Sequence, residues 1–243
     1  MAPLFPLSND HILFDIDGTL TDDRDRPQIQ AHFTLGNAVF EIFRDLMVAA
    51  GESRVQAERS LAQYAKQHVY WDYADFIHQF NLPPADTWNR LREWHADHIR
   101  VYADGVDLVR QLHREGYPLH IISNNPLSGC LLKLEVAGLG GLQGTPFFSR
   151  IFCSNIQRGQ KSSMAYWQRA LVSADIRPEQ AIVIGNDLHE DFEVPAQIGI
   201  DRCFIVDRHS RLALSAGPVL VDDLRNVEGL LRDLSRTEDV SCR

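Results

Sequence analysis

Positive charge is in short supply in this chain. Its 243 residues carry 24 Lys and Arg against 33 Asp and Glu, a net charge of −9 at pH 7. Such a surface repels phosphate backbones and anionic lipid, so neither nucleic acid nor a membrane is a natural partner. A small anion is not excluded, because one local cation can override the global field. Cysteine is scarce too: Cys130, Cys153, Cys203 and Cys242 are far apart and form no CxxC pair. They fit reduced, mostly buried thiols in a cytoplasmic protein better than a disulfide framework or a zinc site. No apolar run reaches the roughly 18 residues of a membrane span. The start, Met1-Ala-Pro-Leu-Phe-Pro, lacks a cationic stretch and is too short and proline-broken for a signal peptide. Internal repeats and low-complexity tracts are also missing. Apolar residues, by contrast, make up 44% of the chain, with 12 Phe, 6 Tyr and 4 Trp among them. That is enough for a sizeable core and argues against disorder.

The apolar residues come in two patterns. Short runs bounded by polar residues and glycine read as buried strands at 11–15, 119–123, 150–153, 181–185, 203–206 and 219–221. Between most of them lie helical periodicities, at 106–114, 163–174, 194–198 and 226–234. Strands alternating with amphipathic helices predict a doubly wound, Rossmann-like parallel sheet covered on both faces, an α/β fold. Residues 22–100 depart from this alternation. Their apolar periodicity is helical throughout and shows no convincing strand, so they read as an all-helical insertion between the first and second strands. The polar stretch from Thr21 to Gln28 and the segment from Arg100 to Gly105 are the candidate hinges. The expected division is thus a core of residues 1–21 and 101–243 and a helical domain of residues 22–100.

Each of three strands ends in a polar cluster: Asp15-Ile-Asp17-Gly-Thr-Leu, Ser123-Asn124-Asn125, and Gly185-Asn186-Asp187-Leu-His-Glu-Asp191. A further cluster, Gly159-Gln-Lys161-Ser-Ser, precedes the helix that leads to the fourth strand. In an open parallel sheet the carboxyl ends of the strands share one edge, where ligands bind, so these groups can converge. Several carboxylates close together repel and call for a hard dication; Mg²⁺ with oxygen ligands fits. A carboxylate beside Mg²⁺ and a lysine stays ionised and can attack an electrophile. Ser123 and Lys161 supply donors for phosphoryl oxygens. Taken singly, each residue has a plainer reading: a turn or cap for Asp15 or Asp17, a polar loop for Ser123, a solvated charge for Lys161. Their order on successive strand ends carries the argument.

That order resembles the haloacid dehalogenase-like hydrolase superfamily. Phe14-Asp15-Ile-Asp17-Gly-Thr-Leu matches its first motif, Ile122-Ser123-Asn124 the second, Lys161 the third and Gly185–Asp191 the fourth. The resemblance implies a phosphatase branch with a helical cap of the first type. It makes Asp15 the nucleophile and a Mg²⁺ ligand. Asp17 becomes the general acid and base, with its main-chain carbonyl on the metal. Ser123, Asn124 and Lys161 hold the phosphoryl group, and Lys161 also restrains Asp15. The fourth motif completes the metal site, through Asn186 or through Asp187, with Asp191 behind it. An acid at position 17 argues for phosphate transfer and against carbon–halogen cleavage, because dehalogenases proper lack one there. The implied protein is a Mg²⁺-dependent hydrolase of a small phosphorylated metabolite, monomeric or homodimeric. A phosphomutase and a catalytically silent binding protein are its rivals.

Four features fall outside this scheme. The run Gly138-Leu-Gly-Gly-Leu-Gln-Gly144 misses the dinucleotide-loop spacing and reads as a helix end and loop. His95 and His98 read as a solvated or capping pair, and His189 as exposed. The aromatics Tyr64, Tyr70, Trp71, Tyr73 and Phe76 read as helix packing before substrate contact.

Overall fold

The computed structural model describes residues 10–23, 35–208 and 217–231. The N-terminal segment, most of the polar stretch after Thr21, Cys242 and the end of the last expected helix lie outside these described residues.

Strands β1 (His11–Phe14), β4 (Leu119–Ile122), β5 (Arg150–Phe152), β6 (Ala181–Gly185), β7 (Arg202–Val206) and β8 (Val219–Val221) form one sheet. Its order is β5-β4-β1-β6-β7-β8 and every pairing is parallel. These are the six runs read as strands. Their β-branched and aromatic residues suit a pleated surface, and both faces are buried, so they lack polar alternation. The two faces still separate by parity. Ile12, Phe14, Leu119, Ile121, Ile182 and Ile184 join one apolar cluster, while Leu13, Ile122, Ala181 and Val183 join another. Helices α5 (Ala103–Arg114) and α6 (Leu127–Val136) cover the first face. Helix α8 (Met164–Ala174) covers the second, with Tyr166, Trp167 and Ala170 fully buried. The short α7 (Ser154–Gln157) and α9 (Val194–Ala196) complete the connections.

The strand order places the crevice. From β1 the chain moves outward to β4 and β5, then returns to the other side of β1 at β6. The switch point therefore lies between β1 and β6. Register brings the ends level: Phe14 pairs with Ile121 on one side and Ile184 on the other. The residues that follow them, Asp15, Ile122-Ser123 and Gly185, emerge together.

Helices α1 (Leu35–Ala49), α2 (Arg54–Gln67), α3 (Tyr73–Gln79) and α4 (Pro84–His98) occupy the segment read as helical. Ser53 caps α2 by accepting from Gln56 N, and Asp72 with Asp75 forms a capping box on α3. Val39, Phe43, Phe76 and Leu91 are buried in a third apolar cluster, which also takes in Leu132 of α6. Phe43 and Phe76 stack at 5.3 Å, and Tyr64, Trp71 and Tyr73 pack against this pair as read, whereas Tyr70 is exposed.

Two expectations need correcting. Thr21–Asp23 and Ile99–Val101 are strands, β2 and β3, paired antiparallel where only hinges were expected. Three residues are too few to display a period of two. His95 is fully buried, not solvated; its Nδ1 lies 2.7 Å from the Leu91 carbonyl oxygen of the preceding turn. The glycine-rich run after α6 is a loop closed by main-chain bonds between Gly141 and Gly144, as read.

Candidate active site

β1 delivers Asp15 to the crevice. Asp15 N donates to the Ile184 carbonyl at 2.9 Å, continuing the ladder one step past the strand. The chain then turns sharply: the Ile16 carbonyl accepts from Leu20 N and Thr21 N, both at 2.9 Å, and Gly18 takes φ +82°. The Ile16 side chain enters the core, which leaves Asp15 and Asp17 on the polar side of the turn.

β4 delivers Ser123, 1% exposed, whose Oγ accepts from Asn125 N at 3.1 Å and Asn125 Nδ2 at 2.8 Å. Beneath it the Tyr166 hydroxyl lies 2.8 Å from the Ser123 carbonyl oxygen and 2.9 Å from that of Phe152. Asn124 is stretched between two partners. Its Oδ1 accepts from Lys161 N at 2.8 Å, and its Nδ2 donates to Glu190 Oε2 at 2.7 Å. The loop before α8 thus presents Lys161 inward, helped by Trp167 Nε1, which donates to the Lys161 carbonyl at 2.8 Å.

β6 delivers the fourth group. Lys161 Nζ donates to Asp15 Oδ1 at 2.6 Å and to Asp191 Oδ1 at 2.7 Å. The other oxygen of Asp191, Oδ2, accepts from Asn186 N and Asp187 N at 3.1 and 3.0 Å. Asp191 can tuck beneath the strand end only because residue 185 is glycine: a Cβ there would lie 2.2 Å from Asp191 Cγ. Asp187 faces its own loop, where Oδ1 accepts from Glu190 N at 2.8 Å.

Charge in this cluster is strongly coupled. Burial pushes the Asp15 carboxyl up, to about 7; Lys161 pulls against the rise, and Asp191 and Asp17 add to it. Burial also works against the charge on Lys161, but Asp15 and Asp191 outweigh it and hold the ammonium above the ordinary lysine range. A second cation on Asp15 would keep the carboxylate ionised.

The residues present fit such a cation. The Asn186 amide lies 3.2 Å from Asp15 Oδ2 and 2.7 Å from the Asp17 main-chain oxygen. With its nitrogen facing them it donates to both. With its oxygen facing them, three oxygens meet, an arrangement that only a cation makes favourable; a carboxylate, a carbonyl and an amide oxygen suit a hard dication. Among the described residues no group of three or more acidic, histidine or cysteine side chains is placed to hold a metal.

Sequence reasoning missed Lys133 and, while placing Asn125 in the second cluster, gave it no role. Lys133 of α6, fully buried, donates from Nζ to Asp17 Oδ1 at 2.5 Å, and Asn125 Nδ2 donates to Asp17 Oδ2 at 2.6 Å. A lone lysine inside Leu131-Leu132-Lys133-Leu134 was the available signal. His189 is exposed and sits 2.9 Å from Glu193, away from this network.

A family model described as haloacid dehalogenase-like hydrolase matches residues 10–199, most of the chain. The protein belongs to this family. Its relatives include the pyrophosphatase PpaX of Bacillus cereus, 21% identical over 181 residues, 74% of this chain and 75% of that one. Among solved structures, a HAD phosphatase from Thermococcus onnurineus superposes with a TM-score of 0.59 at 20% identity, covering 91% of this chain and 97% of that one. The putative HAD-hydrolase YfnB from Bacillus subtilis, bound to magnesium, gives 0.55 at 17% identity, covering 91% and 98%. These likenesses establish a shared fold. In this haloacid dehalogenase-like hydrolase Asp15, Asp17, Ser123, Lys161 and Asn186 lie along one sheet edge. No helix among the described residues is long and apolar enough to cross a membrane.

Proposed function

We propose that this haloacid dehalogenase-like hydrolase is a Mg²⁺-dependent phosphatase that acts on a small phosphorylated metabolite through a phosphorylated aspartate. The observation that carries the reading is Lys161 Nζ, held 2.6 Å from Asp15 Oδ1 and anchored from behind by Asp191. It keeps a nucleophilic carboxylate aimed at the crevice and offers positive charge to a phosphoryl group. Asp17, an acid two residues on, supports phosphate transfer over dehalogenation.

In this mechanism an Asp15 carboxylate oxygen attacks phosphorus as the bond to the leaving oxygen breaks. Asp17 gives its proton to that oxygen, so an alcohol departs. Asp17, now a carboxylate, takes a proton from water as the water oxygen attacks phosphorus. The Asp15–phosphorus bond breaks, and inorganic phosphate leaves with Asp15 restored. Ser123 and Lys161 hold the phosphoryl oxygens, and Asn124 orients the Lys161 loop. Asp15, the Asp17 carbonyl and Asn186, with Asp187 beside them, would hold Mg²⁺, which supplies positive charge against the phosphoryl oxygens.

Residues 22–100 form the cap of this proposal, closing over a core of 1–21 and 101–243 to exclude water and select the leaving group. An enclosed pocket disfavours phosphoproteins, and the net charge of −9 disfavours nucleic acid and anionic membrane. Cytoplasmic residence and a monomer or homodimer belong to the same proposal. The test is phosphate release from a panel of phosphorylated metabolites and p-nitrophenyl phosphate at millimolar Mg²⁺. Release that stops with Asp15→Asn is the expected result. No release from any ester would leave a silent binding protein, and release of inorganic phosphate from p-nitrophenyl phosphate with no sugar phosphate present would argue against a phosphomutase.

A further inference from the structure

Lys133 is the one lysine on α6, and its charge is out of reach of solvent: the side chain is 1% exposed while that of Asp17 is 32% exposed. It therefore lies beneath Asp17, not in front of it where a substrate would bind. Its Nζ donates to Asp17 Oδ1 at 2.5 Å and to Asn125 Oδ1 at 3.1 Å. Asn125 Nδ2 in turn donates to Asp17 Oδ2 at 2.6 Å and to Ser123 Oγ at 2.8 Å. Both carboxylate oxygens of Asp17 are thus fixed by donors that also bond each other, and the triangle leans on Ser123. Lys133 itself is fixed on both flanks, since Leu132 packs among the helices of 35–98 and Leu134 into the sheet cluster. Burying an ammonium in an apolar helix face costs stability unless a partner compensates. A leucine would pack there without that cost, so packing alone does not explain the residue.

We propose that Lys133 is a positioning residue that, with Asn125, sets the orientation of the Asp17 carboxylate for its acid and base steps. The proposal rests on the phosphatase reading. A carboxylate free to rotate between its partners would present its oxygen to the leaving group only part of the time, whereas one held at both oxygens presents it continuously.

The test compares the full-length wild type, Lys133→Met, Asp17→Asn and the double variant on p-nitrophenyl phosphate with Mg²⁺. Lys133→Met should lower kcat about 100-fold, the scale of a positioned acid–base group. KM and inhibition by inorganic phosphate should stay within about 2-fold, because Ser123 and Lys161 are untouched. In the Asp17→Asn background the same change should cost less than about 2-fold, since its effect passes through Asp17. Lys133→Gln, which removes the charge and shortens the donor while leaving Asn125 and Ser123 in place, should give the same pattern and serves if Lys133→Met does not fold. Multiplicative losses in the double variant, or a phosphate inhibition constant that moves together with kcat, would overturn the proposal and leave Lys133 a structural cation. A wild type that releases no nitrophenolate while Asp15 is intact would instead overturn the phosphatase reading, and this inference with it.

Discussion

The Asn186 side chain fills the space that a Cβ on Gly18 would need: that atom would lie 2.3 Å from Asn186 Nδ2 and 2.6 Å from Cγ. The turn after β1 and the loop after β6 are therefore fitted to each other across the switch point. Gly18→Ala is doubly unfavourable, because the residue also sits at φ +82°. We predict a stability loss of about 1–2 kcal/mol in chemical denaturation. Asn186 would be pushed from Asp15 and the Asp17 carbonyl, so Mg²⁺ affinity, read by direct titration, should fall at least about 10-fold. Unchanged affinity would mean that the amide is not part of the cation cradle.

Asn186 and Asp187 make separable predictions. Asn186 faces Asp15 and the Asp17 carbonyl, whereas Asp187 Oδ1 caps the turn at Glu190. Asn186→Ala should weaken Mg²⁺ binding about 10-fold with little change in stability. Asp187→Ala should cost about 1 kcal/mol of stability through the lost cap, with a smaller effect on Mg²⁺. The reverse ranking would assign the metal to the carboxylate.

Asp191 is fully buried and binds Lys161 together with two main-chain amides. Asp191→Ala would leave three donors short of a partner, one of them charged. A loss of about 3–5 kcal/mol is expected in urea unfolding, the scale of a broken buried ion pair. Asp191→Asn keeps an acceptor oxygen and should lose less. Equal losses would show that the hydrogen bonds contribute little and charge most.

Much of this arrangement was legible in the sequence. Asp15, Ser123 and Gly185 each follow an apolar run long enough to be a buried strand, and parallel strands place their carboxyl ends together whatever their separation in the chain. Lys161 was legible because its loop precedes a periodic helix. The groups that escaped notice act from the middle of elements. Lys133 interrupts an apolar helix face, which in one dimension looks like a surface charge; only the docking of α6 turns it toward Asp17. The β2–β3 ribbon escaped because each strand is three residues long. His95 escaped because a histidine paired with His98 at i, i+3 reads as solvated or capping, whereas in the fold Tyr73 of α3 and Lys133 of α6 lie close to it.

That burial makes a prediction about pH. His95 Nδ1 is bonded to the Leu91 carbonyl, and Nε2 is buried without a hydrogen-bond partner among the described residues. Burial chiefly, with nearby Lys133 adding, lowers its pKa from 6.5 to about 4. The folded state thus holds His95 neutral while the unfolded chain takes up a proton below pH 6.5. Because the folded pKa is depressed, the stability is fully present above 6.5 and is lost as pH falls toward 4. Linkage sets the loss at about 2 kcal/mol by pH 5. His120, also lowered to about 4 by burial, adds a loss of the same sign. Unfolding free energies at pH 7 and pH 5 for the wild type and His95→Leu check this. The variant should be less stable at pH 7, lacking the bond to Leu91, yet should lose about 2 kcal/mol less than the wild type between the two pH values. An identical pH dependence in both proteins would mean that protons reach His95 in the folded state, and that the interior around α4 is open to water.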